Sequence, residues 1–525
     1  MDFVLEDVML PDKPIMLRWR QTGKISTDLN PSPVSSAKNG MSSFSVSLPK
    51  TTESPKKKSP ESRGAKFVNF TAANPHQKKT LIKSKEKSKA STSPKGRSKS
   101  ASKAKDREVQ QPVVKTPIDV LEPSKYQGLQ AVTRYPSPLD RYFFKATPFP
   151  FTSLDSLNTG HYTNYYLHGI ANMMYPLNEN LAFNPIRDRW FEIILKDETW
   201  FFTIIYVAAR QLEVEHGANQ SSQQVSRLMM HVLERLKKAV EKAQQGHIPP
   251  DSIIGAISCL VSLENGLNNT TTWQVHSRGL SELVRAKGGI QSIDSSLRTK
   301  VCRSDIEGAV DTLTLPVFPP VPPTSTQLTP VTQSTTHSLS ASLDATLSTI
   351  AKDIADFTIL LNDMLEYHIP VDPVDLDEHL MIFFHRLLSF TPDPHNPLDH
   401  AFKIASLLFL KSLMRPLSTL AQTSAFLASN LKSSLCLVRD APRSLTLWLG
   451  FWGLQASREG SEERGWFTDK ILADVMVLKG RMCAWDELRI DLVKVFWVGN
   501  IFDAYSRIVW EELERGIIVS RISEA

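Results

Sequence analysis

The sequence predicts an all-α fold: a multi-helix domain, preceded by a disordered basic N-terminal region and interrupted by an insertion rich in Pro, Thr and Ser. Three observations predict it. Beyond residue 117, apolar residues recur at three- and four-residue steps, the period of helices that bury one face. No segment alternates apolar and polar residues between turn dipeptides, as a strand ladder requires. No fixed repeat length announces a solenoid.

At 525 residues the chain has room for two or three domains, or for one large helical domain with a tail. A hydrophobic share of 41% with ten Trp furnishes a sizeable core. We divide the chain into a short N-terminal segment (1–30), a disordered Lys/Ser/Pro-rich basic region (31–117), the first half of the helical domain (118–312), a Pro/Thr/Ser linker or insertion (313–342) and the second half (343–525).

The start, MDFVLEDVML, is acidic and apolar. It lacks the basic region ahead of a long apolar stretch that marks a signal peptide, so none is expected. It reads as a mobile terminus or a small docking peptide. The net charge of +6 hides an asymmetry: Ser54–Arg107 holds seventeen Lys or Arg against three Asp or Glu, a surplus of +14. The rest carries 44 basic against 52 acidic residues, or −8, so a basic tail is joined to a mildly acidic globule. Rich in Ser, Lys and Pro and poor in aromatic and branched apolar residues, the tail cannot bury enough surface to offset its ordering entropy. Lys56, Lys57 and Lys58, with Lys83, Lys85, Lys87, Lys95, Arg97 and Lys99, are candidates for a nuclear import signal read by an import receptor. A lesser reading is weak, non-specific nucleic-acid contact, which fades steeply with salt because each neutralised phosphate releases counterions. The plain alternative is a solvated linker with serines open to phosphorylation.

In the helical part, ETWFFTIIYVAARQLEVEH after Asp197 is nearly all apolar, as in a helix at the centre of a bundle. SSQQVSRLMMHVLERLKKAVEKAQQ steps Val225, Leu228, Met229, Val232, Leu236 and Val240 along one face and predicts an amphipathic surface helix that Gly246 ends. Asp251 is the expected N-cap of SIIGAISCLVSLEN. In TTWQVHSRGLSELVRAKGGI, Trp273, Leu280 and Val284 share one face of a packed helix. There Gly279 is expected to admit a neighbouring helix, Gly288 to close the last turn in the left-handed conformation, and Arg285 and Lys287 to favour the C-terminal dipole. His276 is expected to be a structural, hydrogen-bonded residue. Residues 313–342, crowded with Pro, Thr and Ser, read as a partly extended, mobile loop. Helical periodicity resumes in DATLSTIAKDIADFTILLNDMLEYH, DLDEHLMIFFHRLLSF, HAFKIASLLFLKSLM, APRSLTLWLGFWGLQASR, WFTDKILADVMVLKG and WDELRIDLVKVFWV.

Four cysteines, Cys259, Cys302, Cys436 and Cys483, lie far apart without a CxxC pair and read as reduced, buried, small apolar side chains. The strongest apolar runs, 200–209 and 446–454, fall short of the roughly 20 residues a membrane span needs, so a soluble chain is expected. Nucleotide-binding glycine loops, nucleophile elbows, HExxH and kinase signatures are missing, and no catalytic residue, metal or cofactor is expected. His379 and His385, six apart, do not share a helix face, and the pairs Asp393/His395 and Asp399/His400 read as loop and helix-end residues.

Two stretches carry a family pattern. The first holds Trp273, His276, Gly279, Leu280, Gly288 and Gly289; the second, from SLTLWLGFWGL onward, holds Trp448, Gly453, Arg464, Trp466, Trp485 and Trp497 in helical order. Together they resemble the fungal-specific transcription factor domain, the helical region that follows the zinc binuclear cluster in many fungal regulators. The resemblance covers about residues 118–520, apart from the insertion. KFVNFTAANPHQKK at 66–79 is similar to a segment preceding this domain in members that lack the cluster, but the Arg/His/Met run expected after it is replaced by IKSKEKSKAS. A zinc binuclear cluster needs six cysteines in two CxxC-containing halves, and no cysteine precedes Cys259, so this chain cannot form that module. The resemblance implies a nuclear transcription-regulatory protein, a coregulator whose partners are other transcription regulators or chromatin proteins, acting by protein or effector binding. The alternatives are a DNA-associated regulator that uses its basic tail, and an orphan small-molecule-binding protein or enzyme.

Overall fold

The computed structural model describes residues 2–8, 16–22, 159–218, 220–323, 325, 327–329 and 342–524. Asp2–Val8 (β1) and Met16–Thr22 (β2) pair antiparallel, with Asp2 opposite Thr22 and Val8 opposite Met16. The all-α reading gave no strand here. In MLRWRQT, Leu17 and Trp19 do alternate with Arg18 and Arg20, a period-two signal too short to stand out.

Thr159–Tyr165 (α1) continues through a π-helical turn, Tyr166–Ile170, into Ala171–Met174 (α2); a second π turn, Ile186–Trp190, leads into Phe191–Ile194 (α3). Glu198–Glu215 (α4) begins where the Asp197 carboxylate accepts the Trp200 N–H at 2.8 Å, and is buried without a break from Trp200 to Ala209. Gln223–Gln244 (α5), capped by Ser222, buries Val225, Leu228, Val232, Leu236 and Val240 along one stripe, and Gly246 turns the chain out at φ +90°. In Asp251–Gly266 (α6) the expected cap is displaced by one residue: Pro250 takes the cap position and Asp251 opens the first turn. From there its carboxylate favours the positive end of the helix and pairs with Lys287 at 3.2 Å. Thr270–Lys287 (α7), capped by Asn269, ends at Gly288, whose φ of +107° is left-handed. Ser295–Thr312 (α8) follows.

The described residues between 313 and 329 depart from the free loop expected of them. Phe318, Val321 and Leu328 are buried. The Phe318 N–H donates to Asp305 at 2.9 Å and the Leu328 N–H to Asp375 at 2.8 Å. Prolines remove amide donors from this strap, and the donors at these two core-facing positions find buried carboxylates instead.

Beyond it run Ala345–Glu366 (α9), Pro373–Ser389 (α10), Pro397–Met414 (α11), Leu417–Thr423 (α12), Ala425–Leu435 (α13), Arg443–Ala456 (α14), Glu462–Lys479 (α15), Trp485–Leu492 (α16) and Gly499–Glu524 (α17). α10 and α11 each carry Pro in the first turn behind an Asp or Asn cap, where its missing N–H costs nothing. Packing passes from α4 to α6, from α6 to α7 and α8, from α8 to α10, and through α11 to α13 and α14. One hydrophobic core spans both halves. A parallel bridge between Leu181 and Val371 also ties them, the Ala182 N–H donating to the Val371 carbonyl at 2.8 Å. Among the described residues no helix is long and apolar enough to cross a membrane.

Candidate functional site

Lys56, Lys57, Lys58, Lys83, Lys85, Lys87, Lys95, Arg97 and Lys99 lie outside the described residues, as does the segment 66–79. The eight family-motif residues fall into two separate groups. In α7, Trp273, His276 and Gly279 are buried, and the Trp273 indole sits against α8: a Cβ on Gly308 would lie 1.9 Å from its ring. Gly289 follows Gly288 at φ +96°. Burial lowers the His276 pKa to about 4, so the ring is neutral at pH 7 and offers no cation to a phosphate backbone. No described residue supplies its expected hydrogen-bond partner.

The second group, on α14, α15 and α16, belongs to an aromatic nest. Trp448 packs edge-on to Phe496 at 5.4 Å and its indole N–H donates to the Phe496 carbonyl at 2.9 Å. Trp485 lies 6.0 Å from Trp497, and Trp466 stands edge-to-face on Phe467 at 5.1 Å. The Phe467 ring in turn rests on Gly453. These residues make a core, with offset and edge geometries that add to area burial.

Of the cysteines, Cys259, Cys302 and Cys483 are buried, but Cys436 is exposed at the end of α13, where the helix stops and the chain turns toward solvent. Burial pushes the Cys302 thiol up to about 12. His379 Nδ1–H donates to the Asp375 carbonyl at 2.9 Å, and Asp399 accepts from the Asp344 N–H at 3.1 Å and the Asn396 amide at 2.7 Å, so both serve structure. Among the described residues no group of three or more His, Cys, Asp or Glu is placed to hold a metal.

The residues with chemistry to offer lie on α8, which local periodicity did not single out. From Thr299 to Val310 every residue is buried, including Lys300, Arg303, Asp305 and Glu307. Arg303 donates to Asp377 at 2.6 Å and to the carbonyls of Met174 and Met414 at 2.5 and 2.6 Å. Its guanidinium lies 4.7 Å over the Tyr175 ring, whose hydroxyl donates to the other Asp377 oxygen at 2.9 Å. Burial by itself lowers the Arg303 pKa, but Asp377, Tyr175 and Glu307 outweigh it and hold the guanidinium above its ordinary value. Arg415 grips Glu307 bidentately at 3.1 and 2.8 Å. Burial raises the Glu307 carboxyl, yet Arg415 and Arg303 prevail and keep it below the usual range. Lys411 pairs with Asp311 and donates to Thr423 at 2.6 Å, while Asn265 donates to Asp311 at 2.9 Å.

Beside this network, between α4, α6, α8, α11 and α12, is a cavity of about 70 Å³ lined by Lys300, Lys411, Arg415, Tyr166, Met173 and Leu420 among others. The network cements segments far apart in sequence, and the cavity gives it room for a small molecule.

Residues 161–306 match the profile of the fungal specific transcription factor domain. The match takes in α7, the cavity walls from α2, α4 and α6, and α8 as far as Ile306. No curated protein and no solved structure matches the chain. That family is a transcription factor domain rather than an enzyme family, and its presence points the chain to transcription regulation. Over residues 161–306 this chain is similar to the fungal specific transcription factor domain.

Proposed function

We propose that the chain is a nuclear transcription-regulatory protein whose helical domain works by binding a protein partner or an effector. The single observation that carries the reading is the family match at residues 161–306 within a helical domain whose core is continuous across both halves. Six cysteines for a zinc cluster are missing from residues 1–258, so on this reading DNA specificity comes from a partner regulator, to which the chain is a coregulator. The basic residues between Ser54 and Arg107 are the import signal. We read the chain as a non-enzyme, in keeping with the family.

Imaging the tagged full chain and a form lacking residues 54–107 tests the nuclear part. Nuclear accumulation lost with the tail supports it, and a full chain that stays cytosolic contradicts it. The +14 surplus also favours a second reading, in which the tail touches nucleic acid itself. Mobility shifts distinguish the two, because purely electrostatic binding falls together on every sequence, with a steep salt dependence.

A further inference from the structure

We infer that the cavity beside α8 is a binding site for a small organic monocarboxylate, held by Lys300. The inference rests on the effector-binding half of the function proposed above and names the class of effector.

The charge pattern around the cavity motivates it. Four cations gather at α8 and α11: Lys300, Arg303, Lys411 and Arg415. Three have a carboxylate each, Arg303 with Asp377, Arg415 with Glu307 and Lys411 with Asp311. Lys300 is 3% exposed and lines the cavity, yet no carboxylate among the described residues lies within ion-pair distance of it. Its ammonium lies over the face of Trp190, 5.2 Å from the ring centroid. A buried ammonium without a counter-ion is costly, and it persists where the surroundings fix it and a ligand supplies the missing charge.

Size and lining narrow the class. A cavity of about 70 Å³ holds on the order of five to seven water-sized positions, which matches a ligand of about six non-hydrogen atoms. Met173, Ile170, Val207 and Leu420 offer an apolar wall for a short alkyl tail. Tyr166 and Ser262 offer hydroxyls to a second carboxylate oxygen. The exposed Gln422 marks where the cavity reaches the surface. A dianion is disfavoured, because Lys411 and Arg415 are already neutralised and one uncompensated charge remains.

Calorimetric titration and thermal unfolding of the full chain, with butyrate as the probe, test this. Butyrate is expected to bind saturably and raise the Tm, and butyramide, its uncharged isostere, to do neither. Lys300→Met is expected to weaken butyrate binding at least about tenfold, the scale of a lost charge-assisted hydrogen bond, while leaving the unliganded protein as stable as the wild type or more so. Ser262→Leu, which keeps Lys300 and fills the cavity, is expected to lose binding as well, and serves if Lys300→Met does not fold. Equal binding of butyrate and butyramide, unchanged binding in both variants, or no binding of butyrate overturns the assignment. Binding of inorganic phosphate in preference to butyrate overturns the carboxylate class. Nuclear accumulation and chromatin occupancy are measured separately: if they hold while butyrate fails, only this inference falls, and if butyrate binds in a protein that never enters the nucleus, the functional reading falls instead.

Discussion

His276 lies in α7 with its ring out of water, and burial holds its pKa near 4 against an ordinary 6.5. A group with a folded pKa below its unfolded one takes up its proton on unfolding, so the stability present above pH 6.5 is lost as the pH falls toward 4. The gap corresponds to about 3 kcal/mol. Burial shifts Glu264 up to about 7 and Asp305 up to about 6, and these carboxyls act oppositely, favouring the fold as the pH falls. Comparison of variant with wild type therefore isolates the histidine. In denaturant titrations at pH 7 and pH 4.5, His276→Gln is expected to lose less stability over that interval than the wild type; equal losses contradict the burial argument. Two glycines give a second residue-scale test with opposite signs. Gly308→Ala pushes a methyl group into the Trp273 indole and is expected to cost about 1–3 kcal/mol. Gly465→Ala, exposed in α15 with open space at the Cβ position, is expected to stabilise by up to about 1 kcal/mol. The left-handed turn at Gly288 was legible in the sequence, because a glycine pair after a helical stripe has few other uses. The partner of Trp273 was not, since Gly308 is 35 positions away and nothing local marks it.

At the scale of elements, α8 separates what periodicity shows from what it hides. α5 was readable because its apolar residues lie on one stripe and its charges on the other. In α8 the paired charges find partners far away in sequence, Arg303 with Asp377 and Glu307 with Arg415, while Lys300 has no carboxylate among the described residues. No pattern within RTKVCRSDIEGAVDT distinguishes a solvated helix from a buried one whose partners lie elsewhere. Glu307→Gln leaves the buried Arg303 and the partly buried Arg415 short of charge and is expected to cost about 3–5 kcal/mol in urea unfolding. A loss below about 1 kcal/mol, typical of surface pairs, contradicts the role assigned to this network. The strap at 313–329 was misjudged for a related reason. Its composition is that of a linker, but Phe318, Val321 and Leu328 dock, so Leu328→Ala is expected to cost about 2–4 kcal/mol, as at any fully buried leucine.

At the scale of the whole molecule, a basic stretch with +14 surplus charge precedes a helical domain that matches a transcription factor family over residues 161–306. The all-α class followed from periodicity alone. The functional class did not: it came from two tryptophan- and glycine-marked stretches whose residues prove to be packing residues, so they identify a relative without marking a site. The cavity and its unpaired Lys300 were invisible in the sequence, because they depend on which cations α8 and α11 leave without a carboxylate. Chromatin mapping of the full chain, with and without its partner regulators, tests the regulatory reading. The expected result is occupancy at discrete sites that disappears when a zinc-cluster partner is removed and survives deletion of residues 54–107 once an unrelated import signal restores nuclear entry. Uniform, sequence-independent occupancy that vanishes with the basic tail, or no occupancy in a protein that does reach the nucleus, contradicts it.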